Sequence, residues 1–186
     1  MEYTVRLFDD MERYEGHPLF VVATGKQLSK KVSDTWSRKE APYVVKLPDE
    51  AVVVKAGAFY FKDNVCTVLL PDSVEWIGEN AFDSCKNLSS IIFGSSLKVI
   101  MEDAFSDCEN ISQIDFPDSL VEIRDRAFSG CKKLSSIRIP DSVALIGEDS
   151  FEGCDSLKEV YIKNKALLEH AGLAEDVRII IDKNEG

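Results

Sequence analysis

The 186 residues include 22 Lys and Arg against 33 Asp and Glu, for a formal net charge of −11. That balance repels phosphate backbones and anionic lipid, which makes nucleic acid and membrane surfaces poor partners and favours a neutral or basic protein, or a cation. No run approaches the ~18 apolar residues of a membrane span, so membrane insertion is not expected.

Residues 1–46 are read as a β-rich N-terminal cap. Tyr3 to Phe8 and Leu19 to Ala23 are β-branched and aromatic runs that predict two strands joined by a polar connection. The polar stretch from Lys26 to Glu40 fits a short helix or a loop. Gly25-Lys26 lacks the upstream glycine and following Ser/Thr of a phosphate loop, so no nucleotide or other cofactor is expected. Met1 to Asp10 lack the basic start and apolar core of an export signal. A cytoplasmic location is expected on that ground, with secretion or cell-surface display as the alternative if the chain is trimmed.

From Leu47 to Ile162 one pattern recurs. Phe59, Phe82, Phe105, Phe128 and Phe151 are spaced by 23 residues, as are Cys85, Cys108, Cys131 and Cys154. A fixed period of this size marks a solenoid, whose units bury their apolar faces only against one another. About five coils are counted, the first a degraded copy with Lys62 where later ones have cysteine. Each coil has an alternating segment, such as Leu88-x-x-Ile91-x-Phe93 and Ile111-x-x-Ile114-x-Phe116, which predicts a short parallel strand. Proline closes it at Pro71, Pro117 and Pro140, with Gly94 standing in once. A second apolar pair (Val74/Ile77 and its copies) predicts an opposite wall. Glu79 to Phe82 and its copies suit the first turn of a short helix. Residues 163–186 are read as a C-terminal cap of a helix ended by Gly172, an edge strand over Val177 to Ile181, and a charged tail.

The ladder cysteines are read as small buried hydrophobes, with bonding between adjacent coils the alternative. Their spacing lacks Cys-x-x-Cys pairs, and no zinc site is expected. Asp72, Asp118 and Asp141 form a carboxylate column read as turn chemistry, with calcium the weaker reading. His17 and His170 stand in no recognisable relation to a nucleophile, and no enzyme is expected.

Two faces remain for recognition. On the strand face the outward column is Leu69, Ile92, Asp115, Arg138 and Tyr161, the expected site for a protein partner. Asp115 and Arg138 are expected as cross-strand neighbours. On the opposite wall it is Val53, Trp76, Val99, Glu122 and Leu145, where Val53, Trp76, Val99 and Leu145 form an apolar stripe suited to self-association into a homo-oligomer.

The coils resemble the BspA-type leucine-rich repeat, with its pattern Ile-Pro-x-Ser-Val-x-x-Ile-Gly-x-x-Ala-Phe-x-x-Cys-x-x-Leu-x-x-Ile. The resemblance implies an α/β leucine-rich repeat solenoid with short parallel strands and short helical turns, capped at both ends. It also implies a protein-binding role, since similar proteins on the surfaces of anaerobic bacteria and some protists are thought to adhere to host or partner proteins.

Overall fold

The computed structural model describes residues 2–5, 21–24, 43–47 and 49–181. His17, the stretch from Lys26 to Glu40, Gly25-Lys26 and the charged tail lie outside the described residues.

The repeat folds as a stack of coils with two walls of parallel strands. In chain order the strands are β1 (Glu2–Val5), β2 (Val21–Thr24), β3 (Tyr43–Lys46), β4 (Val53–Val54), β5 (Val65–Leu69), β6 (Trp76–Ile77) and β7 (Ser90–Ile92). They continue as β8 (Val99–Ile100), β9 (Glu122–Ile123), β10 (Ser136–Arg138), β11 (Leu145–Ile146), β12 (Glu159–Ile162) and β13 (Arg178–Ile181). The front wall is two sheets, β1-β2-β3-β5-β7 and β10-β12-β13, and the back wall is β11-β9-β8-β6-β4. Both strands foreseen per coil are therefore present in most coils. β1, β2 and β3 pair antiparallel, and β3 then joins β5 in parallel.

The core is a set of columns. Successive rings of Phe59, Phe82, Phe105, Phe128 and Phe151 lie 4.9, 5.1, 5.3 and 5.9 Å apart and within 6° of parallel. Those spacings match the ~4.8 Å between paired strands, so the backbone ladder sets the ring separation. Each ladder cysteine points the same way, its Sγ donating to the carbonyl of the phenylalanine 26 residues earlier: Cys85 to Phe59, Cys108 to Phe82, Cys131 to Phe105 and Cys154 to Phe128, at 3.0 to 3.4 Å.

Three features differ from the sequence reading. First, Glu79 to Phe82 and its copies are turns rather than the start of a helix. Asn80, Asp103, Arg126 and Asp149 have φ of 52 to 54°, and Ser84, Asp107, Gly130 and Gly153 have φ of 53 to 72°. Two left-handed residues in each coil break any helix, which needs negative φ throughout. The amide hydrogen bonds alternate accordingly: Ala81 and Asp83 donate within the coil to Gly78 and Asn80, whereas Asn80, Phe82 and Ser84 donate to Glu102, Ala104 and Ser106 of the next.

Second, the strand expected around Ile114 does not form, and the front wall breaks between β7 and β10. The break falls in the coil that ends on Phe116, the second of two adjacent coils that end on phenylalanine. Phe93 and Phe116 stack on each other at 5.9 Å and meet Phe105 and Phe128 edge-on at 6.1 and 5.5 Å. The other coils end on the smaller Leu70, Ile139 and Ile162.

Third, the stacking runs past Ile162. Asp149 and Phe151 donate to the carbonyls of His170 and Ala171, and β13 pairs in parallel with β12. The register step shortens from 23 residues, Ser136 to Glu159, to 19, Glu159 to Arg178. A 3-10 helix (Lys165–Leu168), capped by the Asn164 side chain on the Ala166 N–H, takes up the shorter turn.

Candidate protein-interaction surface

Strand alternation sorts the front wall into two columns. Val68, Ile91, Ile114, Ile137 and Val160 point inward and are buried. Between them the outward column carries Leu69, half-buried, Ile92, 58% exposed, then Asp115 and Arg138, both exposed, and Tyr161, half-buried. Thr67, Leu69, Ser90 and Ile92 are held in register by β5 and β7, and Ser136, Arg138, Glu159 and Tyr161 by β10 and β12. Asp115 lies in the interrupted coil between the two sheets.

The lower half of the column is a polar cluster. Arg138 stacks over the Tyr161 ring with its guanidinium carbon 4.9 Å from the centroid, a cation–π arrangement. The Tyr161 hydroxyl donates to Glu159 Oε2 at 2.8 Å, and Glu159 also pairs with Arg178. The carboxylate acceptor holds the phenol proton and pushes the Tyr161 pKa above its ordinary value. Arg178 belongs to β13, so this cluster spans three strands. Its membership is not visible in the repeat, because Arg178 falls where the 23-residue spacing has ended.

The back wall is less uniform than its sequence column. Trp76 and Leu145 are each 37% exposed, while Val53 and Val99 are 4% and 6% exposed. Both valines flank Trp76 in register, and Glu122, next along, pairs with Arg124. The four stripe residues thus share one wall, with two of them covered.

Chemistry-bearing groups are engaged elsewhere. Burial pushes the Cys85 and Cys154 thiols up to about 12, and those of Cys108 and Cys131 well above the ordinary range. Asp72 accepts the Ser95 N–H of the next coil at 2.8 Å, which lowers its pKa, and Asp141 pairs with Lys163 at 3.1 Å. Among the described residues no group of three or more His, Cys, Asp or Glu is placed to hold a metal, and no helix is long and apolar enough to cross a membrane.

One surface feature escaped the sequence reading. Tyr60 and Phe61, both exposed, meet edge-on at 4.3 Å, with Phe61 at φ 57°. The available signal was the column itself, which holds Ser84, Asp107, Gly130 and Gly153 in later coils and a bulky ring in the first.

A family model for the BspA type leucine-rich repeat region matches residues 47–170 as six copies, about two thirds of the chain. The chain belongs to the BspA-type leucine-rich repeat family. The six copies are one more than the five coils counted in sequence. Among solved structures, the chain is similar to a T. pallidum leucine-rich repeat protein, with 28% identity and a TM-score of 0.65 over 78% of this chain and 76% of that one. A Bacteroides ovatus leucine-rich repeat protein shares 23% identity and a TM-score of 0.57 over 74% of this chain and 47% of its own. The pneumococcal vaccine antigen PcpA shares 22% identity and a TM-score of 0.55 over 75% of this chain and 41% of its own. The chain thus spans under half the length of the latter two, and those likenesses speak to the fold. A search of curated proteins finds no match.

Proposed function

We propose that this BspA-type repeat is a non-enzymatic protein-interaction module that presents its front wall to a protein partner. The observation that carries the reading is the outward column: Leu69 and Ile92 give an apolar upper half, and Asp115, Arg138 and Tyr161 a charged and aromatic lower half. Tyrosine and arginine are favoured as interface anchors, and here the Arg138–Tyr161 stack limits the rotamers each must lose on binding. Support for a non-enzymatic role comes from the ladder thiols, which are neutral at physiological pH and so weak nucleophiles.

The finer form of the proposal is an adhesin-like role at a cell surface, drawn from the family resemblance. Protease treatment of intact cells, which releases surface-displayed chain and spares an internal one, checks it. For the binding face, a partner recovered by affinity capture is purified and its Kd measured by calorimetry against wild type and the Arg138→Glu, Tyr161→Ala double variant. The double variant is expected to bind roughly 30-fold or more weakly. Equal affinity would reject the front wall as the site.

A further inference from the structure

The first coil places two exposed rings where the coil after it has Asp83 and Ser84. Tyr60 and Phe61 are 45% and 58% exposed. Phe61 also holds the left-handed backbone of its column, at φ 57°, which later coils fill with Gly130 and Gly153. That conformation is uncommon for a bulky residue and costs backbone energy that glycine avoids. A ring left this exposed gains little from burial to offset the cost, so packing does not account for it. The ladder fixes what lies beside the pair. Phe59 and Phe61 donate their N–H groups to the carbonyls of Ala81 and Asp83, at 2.7 and 2.9 Å, which sets Tyr60 next to Asp83 along the stack. Asp83, Asp103 and Asp107 share one field. Burial, and then the charges of Asp103 and Asp107, raise the Asp83 pKa against the opposing Ser84 hydroxyl, which donates to it at 2.8 Å. Glu79 and Glu102 stand on the same edge, faced by Lys55 and Lys62 of the first coil, while Arg126 forks onto Asp103.

We propose that Tyr60 and Phe61 dock an arginine-bearing basic segment of a protein partner, on an edge separate from the front wall and independent of the front-wall reading. Charge complementarity around an aromatic anchor selects that occupant. A ring face is electrostatically negative and accepts a stacked guanidinium. The edge-on contact at 4.3 Å uses a face of one ring only. Beyond the rings, a segment laid along the stack meets the carboxylates of successive coils, ~5 Å apart, with which its further basic side chains pair. The same carboxylates repel an acidic segment. A purely apolar one would strip water from Asp83, already crowded by its neighbours, and give it no partner. A second copy fits no better: a twofold contact through this patch sets its carboxylates against their own kind, in a chain of net charge −11.

Fluorescence anisotropy of the full chain with a labelled peptide of alternating arginine and glycine tests the docking. Wild type should bind it more tightly than a peptide of alternating serine and glycine, and added salt should weaken the binding. Phe61→Gly puts the residue type of Gly130 and Gly153 into the same left-handed column, so the fold is kept while a ring is lost. It should weaken peptide binding roughly fivefold or more, and Tyr60→Ser with Phe61→Gly roughly tenfold or more. Tyr161→Ala should leave it unchanged, which separates this edge from the front wall. Urea melts report that each variant is folded, and if the double variant is not, Phe61→Gly alone decides. No binding by wild type, equal binding of the two peptides, undiminished binding by the ring variants or loss with Tyr161→Ala overturns the proposal. So does sedimentation in which wild type dimerises and Phe61→Gly does not, which would assign the rings to a second copy.

Discussion

A methyl group at position 94 would collide with backbone. A Cβ there falls 2.0 Å from the Pro71 carbonyl oxygen and 2.7 Å from the Asp72 Cα, and neither atom can rotate away as a side-chain tip would. The glycine that replaces proline in one coil thus marks a close approach between turns, which its φ alone does not require. Gly94→Ala should lower unfolding stability by roughly 2–4 kcal/mol in urea melts, with unchanged stability contradicting the close approach. The cysteine column makes a second prediction at this scale. The ordinary thiol value is 9.0 and the folded Cys85 and Cys154 sit at about 12. Below 9 both folded and unfolded thiols are neutral and the pH term is absent. Between about 9 and 12 only the unfolded thiols ionise, so stability falls as pH rises, by up to about 1.4 kcal/mol per pH unit for each buried thiol. Urea midpoints measured from pH 8 to 10.5 should fall, and Cys131→Ser should fall less steeply; identical slopes would contradict buried, neutral thiols.

At the scale of the element, the strands were legible and the turns were not. Alternation at Leu88-x-x-Ile91-x-Phe93 is a two-residue period, which has one structural meaning when the inward residues are apolar. The segment Glu79 to Phe82 offered acidic residues and alanine, which suit a helix start in isolation. What overrode that propensity was the left-handed column Asn80, Asp103, Arg126 and Asp149, visible only when coils are aligned and hidden in part because Arg126 is not a residue that favours such a backbone. Its side chain compensates by forking onto Asp103 with contacts of 3.0 and 2.8 Å. The missing strand at Ile114 has the same lesson, since its alternation is the same as in the coils whose strands form. Residues 113–116 lack the parallel pairing of β10, so their amides should exchange with deuterium roughly tenfold faster or more than those of Ser136 to Arg138. Equal protection would show that the front wall is continuous.

For the whole molecule, one number organises the structure: a 23-residue step carries each side chain onto its equivalent in the next coil. That step made the solenoid, its inward columns and its outward candidates readable from sequence. It could not show which outward residues end up covered, as Val53 and Val99 do, or which groups join after the spacing shortens, as Arg178 does. Those depend on side-chain size and on register at the ends. Ring-to-ring nuclear Overhauser effects in protein labelled only at phenylalanine test the stacking most directly. Contacts are expected in the order Phe59, Phe82, Phe105, Phe128, Phe151, each ring with its immediate neighbours along the column, plus edge contacts from Phe93 and Phe116. Missing contacts between Phe82, Phe105 and Phe128, or contacts between rings two coils apart in their place, would contradict it.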